Sequence, residues 1–181
     1  MPNAWDSGLR VNIRNTVDTH KIQALARKAA ANILVGFPSG MQHVPTIHKN
    51  EDGEYKGYDG EDVKDIKPIE AAELAKALSY GTDTIPARPF LEEGIRSKEK
   101  ELVETIKKEA SKVIDGTGQA NWNKVGTMAV GAIQEFVRGD YYRTNVPNSD
   151  KTIEYKGSDK PLIDGGNLIQ SLQFIVQEAG K

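Results

Sequence analysis

The spacing of hydrophobic residues predicts helices interrupted by short strands. From Asp18 or Thr19, either of which can cap a helix, apolar residues recur at helical spacing as far as Ile33. The run 33–37 is apolar and partly β-branched, and Pro-Ser-Gly at 38–40 ends it in a turn. We therefore expect an amphipathic helix that leads directly into a buried strand.

Three more helices are predicted in the middle of the chain. Pro68 suits the first position of a short, alanine-rich helix. Residues 90–114 carry the longest amphipathic pattern, and residues 122–137 carry another. The second of these contains Gly126 and Gly131, each about 1 kcal/mol less favourable than alanine inside a helix. We expect close packing against a neighbouring element to compensate both glycines.

The C-terminal part alternates polar stretches with short apolar ones. We expect a strand around residues 153–155, a turn at 164–166, a helical turn over 167–172 and a final strand at 174–176. Taken together, the elements predict an α+β fold, in which a small, mainly antiparallel sheet is packed by three to four helices.

Two polar segments interrupt this pattern. Residues 41–67 mix charge, glycine and tyrosine, and residues 139–161 are mostly polar, so we predict long mobile loops at both, with a mobile hairpin as an alternative for the charged stretch 50–62. For 41–67, a solvated loop is the simpler interpretation and a partner-binding arm is the functional one. With residues 1–17 as an N-terminal arm, the 181 residues have the length of a single domain over 1–181.

Composition excludes several classes of function. Lys and Arg number 24 against 26 Asp and Glu, so a formal charge of -2 gives no broad field for binding polyanions. The absence of cysteine rules out disulfides, thiolate metal sites and thiol catalysis. We expect neither a secretory signal nor a membrane span, because no apolar run approaches roughly 20 residues.

The candidate chemistry is weak. His20, His43 and His48 lack the i,i+4 spacing of a helical zinc motif, and we interpret them as incidental surface histidines. The acidic stretch 50–62 fails the register of a helix–loop–helix calcium site, since Gly53 at the required glycine puts His48 at the first ligand position.

Two other patterns have simpler explanations. The Asp-Gly-Thr-Gly at 115–118 follows a helix, whereas a phosphate loop follows a strand, so a helix stop explains it better. A Ser/His/Asp triad stays open, because folding alone brings such residues together, but no serine lies in a G-x-S-x-G elbow. Tyr141 and Tyr142, followed by Arg143, are either a cluster that covers the core or a contact patch.

Two motifs carry a resemblance to a known family. Tyr-Gly-Thr at 80–82 leads into Ile-Pro-Ala-Arg-Pro-Phe-Leu at 85–91, where the prolines impose an extended chain before the next helix. Pro-Leu-Ile-Asp-Gly-Gly-Asn-Leu at 161–168 follows later. In this order the motifs resemble the tail-completion and virion-morphogenesis proteins of tailed bacteriophages. Where this chain has Gly165, those families more often carry threonine.

The resemblance implies a small α+β domain that assembles as a ring at the head–tail junction of the virion, after synthesis in the host cytoplasm. The implied partners are copies of the chain itself, connector or head-completion proteins, and tail tube or terminator proteins. It implies no catalytic residue, no cofactor, no metal and no membrane, with nucleic acid only incidental in the channel. Such a ring subunit works through complementary surfaces.

Candidate interface or framework residues come from the two motifs and the tyrosine pair. They are Pro86, Arg88, Pro89, Phe90, Tyr141, Tyr142, Asp164, Gly165 and Leu168. Three alternatives to a tail-completion protein stay open: a tail terminator or other minor tail protein, a virion-associated hydrolase, and a module that contacts DNA in the portal channel.

Overall fold

The computed structural model describes residues 29–49, 52–58 and 66–178, and within those ranges it contains six strands and seven helices. The strands are β1 (Ala31–Gly36), β2 (Gln42–His43), β3 (His48–Lys49), β4 (Tyr55–Lys56), β5 (Ile69–Glu70) and β6 (Gln173–Glu178). The helices are α1 (Ala71–Tyr80), α2 (Phe90–Ser97), α3 (Glu99–Ile114), α4 (Trp122–Arg138), α5 (Tyr141–Asn145), α6 (Asp150–Lys156) and α7 (Asn167–Gln170). This content confirms the α+β fold class.

The described strands form three antiparallel pairs. β1 pairs with β6, from Ala31 opposite Glu178 to Gly36 opposite Gln173. The two other pairs, β2 with β5 and β3 with β4, are two residues long. Antiparallel pairing agrees with the expectation from the sequence, whereas the division into three ladders does not follow from hydrophobic spacing, because two-residue strands leave almost no alternation to detect.

The chain folds into two compact units, each built from non-consecutive segments. Of the described residues, the first unit contains 29–36, 95–132 and 173–178, and the second contains 37–49, 52–58, 66–94 and 133–172. The expectation of one domain over 1–181 stays a prediction. Residues 1–17 and the start of the helix expected from Asp18 or Thr19 lie outside the described residues.

The core of the first unit lies where helices α3 and α4 pack against the β1–β6 pair. Leu102, Trp122, Val125 and Ala129 are buried there, with partly buried side chains from both strands around them. A Cβ on Gly126 would overlap the ring of Phe174 on β6, so close packing does compensate this glycine. The same expectation is wrong for Gly131, where a Cβ would meet nothing within 4 Å.

The core of the second unit joins residues that are far apart in sequence. The rings of Phe37 and Phe90 lie 6.4 Å apart between centroids. A Cβ on Gly94 would lie 2.6 Å from the Cα of Ile133, so the backbones of α2 and α4 approach closely there. The buried apolar residues of this unit are Phe37, Ala71, Ala75, Phe90, Ile133, Val137, Tyr142, Leu168, Ile169 and Leu172.

The strand expected around residues 153–155 is wrong, because this segment belongs to helix α6. Ser149 Oγ accepts a hydrogen bond from the Thr152 amide as an N-cap, and Gly157 ends the helix with a left-handed φ of 63°. These local caps outweigh the β-branched side chain that suggested a strand. Residues 139–161 are therefore no extended loop, since they contain α5 and α6.

Other element boundaries also differ from the expectation. The helix expected over 90–114 is divided at Lys98, whose φ of -122° and ψ of 22° are not helical, into α2 and α3. Helix α1 begins at Ala71 and not at Pro68, because Ile69 and Glu70 pair with β2. Ile33 lies in strand β1, which begins at Ala31, and not at the end of a helix.

Three expected elements of the C-terminal half are confirmed. The helix expected over 122–137 is α4, the turn at 164–166 contains two glycines with positive φ, and the final strand is β6. Residues 41–67 contain β2, β3 and β4, of which the last two pair as a short hairpin.

Among the helices of the described ranges, none is long and apolar enough to cross a membrane.

Candidate functional site

Arg88 ties the proline-rich segment 85–91 to a distant loop of the second unit. Its Nε donates a hydrogen bond of 2.9 Å to the carbonyl of Val146, and its Nη2 donates one of 2.8 Å to the carbonyl of Pro147. The side chain is only 5% exposed, and this burial lowers the pKa of Arg88. The buried guanidinium thus holds the backbone at Val146 and Pro147 against the proline-rich segment.

The neighbours of Arg88 in the motif differ in how deeply they are buried. Phe90 is fully buried in the core, and Pro89 is half-buried and directly precedes α2, where its carbonyl accepts from the Glu93 amide at 2.9 Å. Pro86 is exposed. The motif therefore contributes one buried ring and one buried cation to the framework of the unit, together with an exposed proline.

The turn that precedes this segment is fixed by backbone contacts. Gly81 has a φ of 77°, and a Cβ there would lie 2.8 Å from the carbonyl oxygen of Ile85. The Thr82 amide donates to that same carbonyl at 2.8 Å, and the Arg88 amide donates to the carbonyl of Leu78 at 2.8 Å. The Tyr-Gly-Thr part of the motif is therefore explained by a tight turn that only glycine fits.

Tyr141 and Tyr142 form an aromatic cluster with Phe136. The Tyr142 ring lies 5.6 Å from Phe136 and 5.2 Å from Tyr141 between centroids, and both pairs are edge-to-face. Tyr142 is 3% exposed, and burial raises the pKa of its hydroxyl, which has no hydrogen-bond partner in the described structure. Tyr141, by contrast, lies at the surface. Tyr142 thus covers the core, whereas Tyr141 is exposed at the surface.

The motif at 161–168 forms a compact turn. Leu162, Gly165 and Gly166 all have positive φ, of 61°, 64° and 78°, and for a leucine this conformation is strained. A Cβ on Gly165 would lie 2.6 Å from Thr46 Oγ1, while Leu168 is buried behind the turn. Close contact with the segment before β3 is a reason for glycine at 165, beyond its positive φ.

Asp164 lies at the centre of this turn and contacts His48, the first residue of β3, and Thr46, two residues before that strand. His48 Nε2 is 2.7 Å from Asp164 Oδ1, and Thr46 Oγ1 donates to the Asp164 carbonyl at 3.0 Å. With Asp164 ionised, the first contact is a hydrogen bond only if His48 carries a proton on Nε2. A residue of the C-terminal motif is therefore joined to a histidine that the sequence analysis treats as incidental.

A pocket of about 320 Å³ opens beside Asp164. We name it the tyrosine pocket; its lining consists of Pro45, Thr46, Gly57, Tyr58, Ile66, Thr152, Tyr155, Lys156 and Asp164. The rings of Tyr58 and Tyr155 meet edge-to-face at 5.4 Å, and the ring of His48 stands against Tyr155 at 4.9 Å. The Tyr155 hydroxyl lies 3.3 Å from the carbonyls of Thr46 and of Lys56.

Lysines supply the charge around this pocket. Lys156 Nζ donates to the carbonyl of Lys160 at 2.8 Å, and its pKa is lowered by burial, with Asp164 opposing the shift and Arg88 adding to it. Lys151 Nζ lies 4.4 Å from the centroid of the Tyr58 ring, a cation–π distance. Burial also lowers the pKa of His43, against the attraction of Asp164. The pocket thus combines aromatic walls with the carboxylate of Asp164 and one lysine, while a second lysine lies over the Tyr58 ring.

Sequence reasoning found Asp164 but missed its partners in the pocket. His48, whose ring lies against Tyr155, had no signal beyond its residue type. Tyr155 was placed in a strand at 153–155 that does not form, and Lys156 was not singled out. Conversely, Arg88, Phe90 and Leu168 are buried and line no part of the pocket. Within the described ranges, no three His, Asp or Glu side chains are grouped so that they could hold a metal ion.

No protein-family model, curated protein or solved structure matches this chain.

Proposed function

We propose that this chain is a structural virion protein of a tailed bacteriophage, a tail-completion or neck subunit at the head–tail junction that works through protein–protein contacts. The proposal takes its class from the two motifs, and its support comes from where their residues lie. Arg88, Phe90 and Leu168 are buried in the second unit, so the motifs account for the framework of that unit.

One observation carries the proposal further: this same unit exposes large apolar and aromatic side chains. Val44, Tyr55, Tyr80 and Tyr141 are all exposed, and none belongs to the first unit. Single exposed apolar residues are ordinary, but aromatic residues are enriched where surfaces become buried between proteins. A rigid unit that presents several tyrosines is suited to the contacts of an assembled ring.

Immunogold labelling of phage particles from the source, with an antibody against this chain, tests the proposal. Label at the head–tail junction is the expected result. In addition, particles assembled without the chain should separate into heads and free tails, and adding the purified protein should join them. Label elsewhere on the tail would make the chain another minor tail protein. Particles free of label would overturn the proposal.

A virion-associated hydrolase is the second candidate, and the tyrosine pocket is the observation that favours it. Asp164 and Lys156 both line this pocket, and a lysine with a lowered pKa beside a carboxylate is a feature that functional sites share with buried structural pairs. Release of soluble fragments from peptidoglycan, lost in Asp164→Asn and in Lys156→Gln, would favour this alternative. Unchanged peptidoglycan at high protein concentration would exclude it.

A further inference from the structure

Tyr80 is the most exposed large apolar side chain of the described residues, at 80%. It is the last residue of α1, and the backbone on both sides of it is fixed. The Gly81 amide donates to the Ala77 carbonyl at 2.9 Å, and the Arg88 amide donates to the Leu78 carbonyl at 2.8 Å. Because the main chain is already ordered, burying this ring in a partner would cost little beyond the freedom of one side chain.

The tyrosine pocket has the size and the walls to receive such a ring. Its volume is about 320 Å³, and a protein cavity of about 150 Å³ is enough for a benzene molecule. Pro45 and Ile66 give it apolar surface, and the edge-to-face rings of Tyr58 and Tyr155 offer the arrangement that aromatic side chains prefer. At the same time, Asp164 and Thr152 supply oxygens within the lining that a phenol hydroxyl can bind.

The exposed charge that follows Tyr80 is opposite to that of two lysines at the pocket, whose lining also contains Asp164. Asp83 is exposed three residues after Tyr80, in the turn that follows α1. Lys151, stacked on Tyr58, and Lys156 lie at the pocket. Opposite charges at the rim of a contact steer the encounter and fix its register more than they add affinity. A surface with Tyr80 and Asp83 is therefore matched to a surface with aromatic walls and lysines.

We propose that Tyr80 of one copy of this chain inserts into the tyrosine pocket of a neighbouring copy. Each copy then carries both halves of the contact on its second unit, and the contact is heterologous, so successive copies form a ring if the rotation closes. The idea of a ring rests on the proposed function, and the contact names the residues that would join its subunits.

Cysteine cross-linking tests this contact directly, because the chain has no cysteine of its own. Asp83→Cys and Lys151→Cys, which flank the two halves of the contact and keep Tyr80, are made as two separate proteins, mixed at high concentration and oxidised. We expect a disulfide-linked dimer at least about tenfold more abundant than in either protein alone, since the sulfurs must approach to bonding distance. The double variant, which carries both cysteines, should give a ladder of higher oligomers.

Two controls define the result. Thr144→Cys is an exposed position outside the pocket lining, and mixing it with Asp83→Cys should give only background dimer. Sedimentation of Tyr80→Ala should show weaker self-association than the unmodified chain, while Tyr80→Phe should retain most of it. Asp83–Lys151 linkage no greater than the Thr144 background, in concentrated protein and in assembled particles alike, would overturn the contact.

The failure of this contact and the failure of the proposed function are distinguishable. Gold label at the head–tail junction without Asp83–Lys151 linkage would keep the neck function and remove the contact. Conversely, specific linkage in purified protein with particles free of label would keep the contact and remove the neck function.

Discussion

The imidazole of His48 and the carboxylate of Asp164 meet at 2.7 Å, although 116 residues separate them in the sequence. Both side chains are partly exposed, at 24% and 32%, so solvent screens the attraction between them. The contact nevertheless joins the β3–β4 hairpin to the turn of the C-terminal motif. It is the link by which a change in the hairpin would reach the 161–168 turn.

Breaking this pair is expected to cost a modest amount of stability. His48→Gln and Asp164→Asn should each lower the free energy of unfolding by about 1 kcal/mol, as for a partly screened ion pair with one good hydrogen bond. The double variant should lose less than the sum of the two, because the second substitution removes a group that has already lost its partner. Urea unfolding of the four proteins measures this coupling, and strictly additive losses would contradict it.

The two glycines within α4 provide a matched pair for packing. A Cβ on Gly126 would overlap the Phe174 ring, whereas a Cβ on Gly131 would meet nothing. Gly126→Ala should therefore destabilise the chain by about 1–3 kcal/mol through overpacking. Gly131→Ala should stabilise it by about 0.5–1 kcal/mol through helix propensity. Thermal unfolding of both variants is the measurement, and equal shifts of the same sign would contradict the close packing of α4 on β6.

Arg88 is expected to be difficult to replace. Arg88→Ala should destabilise the chain by about 3 kcal/mol, because it removes two charge-assisted hydrogen bonds and leaves two carbonyls without their donors. Arg88→Lys keeps the charge but loses the planar fork that reaches Val146 and Pro147 together, so it should recover only part of the loss. Arg138→Ala, at an exposed position, is the control, with a change expected within about 0.5 kcal/mol. Full stability of Arg88→Lys would show that geometry at this site is unimportant.

The buried hydroxyl of Tyr142 predicts a stabilising substitution. Because that oxygen is buried without a hydrogen-bond partner in the described structure, Tyr142→Phe should raise the free energy of unfolding by about 1 kcal/mol. Tyr141→Phe, at the surface, should change it by less than about 0.5 kcal/mol. Chemical denaturation compares the two, and a loss of stability in Tyr142→Phe would reveal a bond to this hydroxyl.

Long periodic elements of this fold could be predicted from the sequence, and short ones could not. The 17 residues of α4 repeat the helical spacing often enough to identify it, and the glycines at 165 and 166 identify their own turn. Strands β2 to β5 have two residues each, so they are defined only by their pairing with distant segments. The break between α2 and α3 at Lys98 could not be predicted, because no glycine or proline stands at that position.

The candidate site was harder to predict for the same reason. The motif at 85–91 supplies buried framework and the motif at 161–168 supplies only Asp164 to the pocket, whereas Thr46, Tyr58 and Tyr155 come from segments up to 118 residues away. The sequence pattern around each of these residues does not indicate that their segments lie together in the fold. Tyr155 was further obscured because Ile153 and its neighbours favour a strand, while Ser149 and Gly157 cap a helix.

Glu109 is a buried carboxylate that predicts a pH dependence of stability. The side chain is 1% exposed; Lys112 Nζ donates to its Oε2 at 2.6 Å and the Asn121 amide donates at 2.9 Å. Asn121 Oδ1 in turn accepts from the Lys124 amide at 3.2 Å, which caps the start of α4. The hydrogen bond from Lys112, followed by that from the Asn121 amide, lowers the pKa of Glu109 below its usual 4.5, although burial opposes the shift.

A carboxylate whose folded pKa is depressed contributes stability above its unfolded pKa, and that contribution disappears as the pH falls through the folded pKa. The melting temperature should therefore exceed that of Glu109→Gln by a constant margin above about pH 5, and the margin should shrink steadily as the pH falls below about 4.5. Glu101→Gln, on the exposed face of α3, is the matched control and should show little margin at any pH. Thermal melts from pH 3 to pH 7 test this. A margin that does not depend on pH would mean that ionisation of Glu109 is not the source of its contribution to stability.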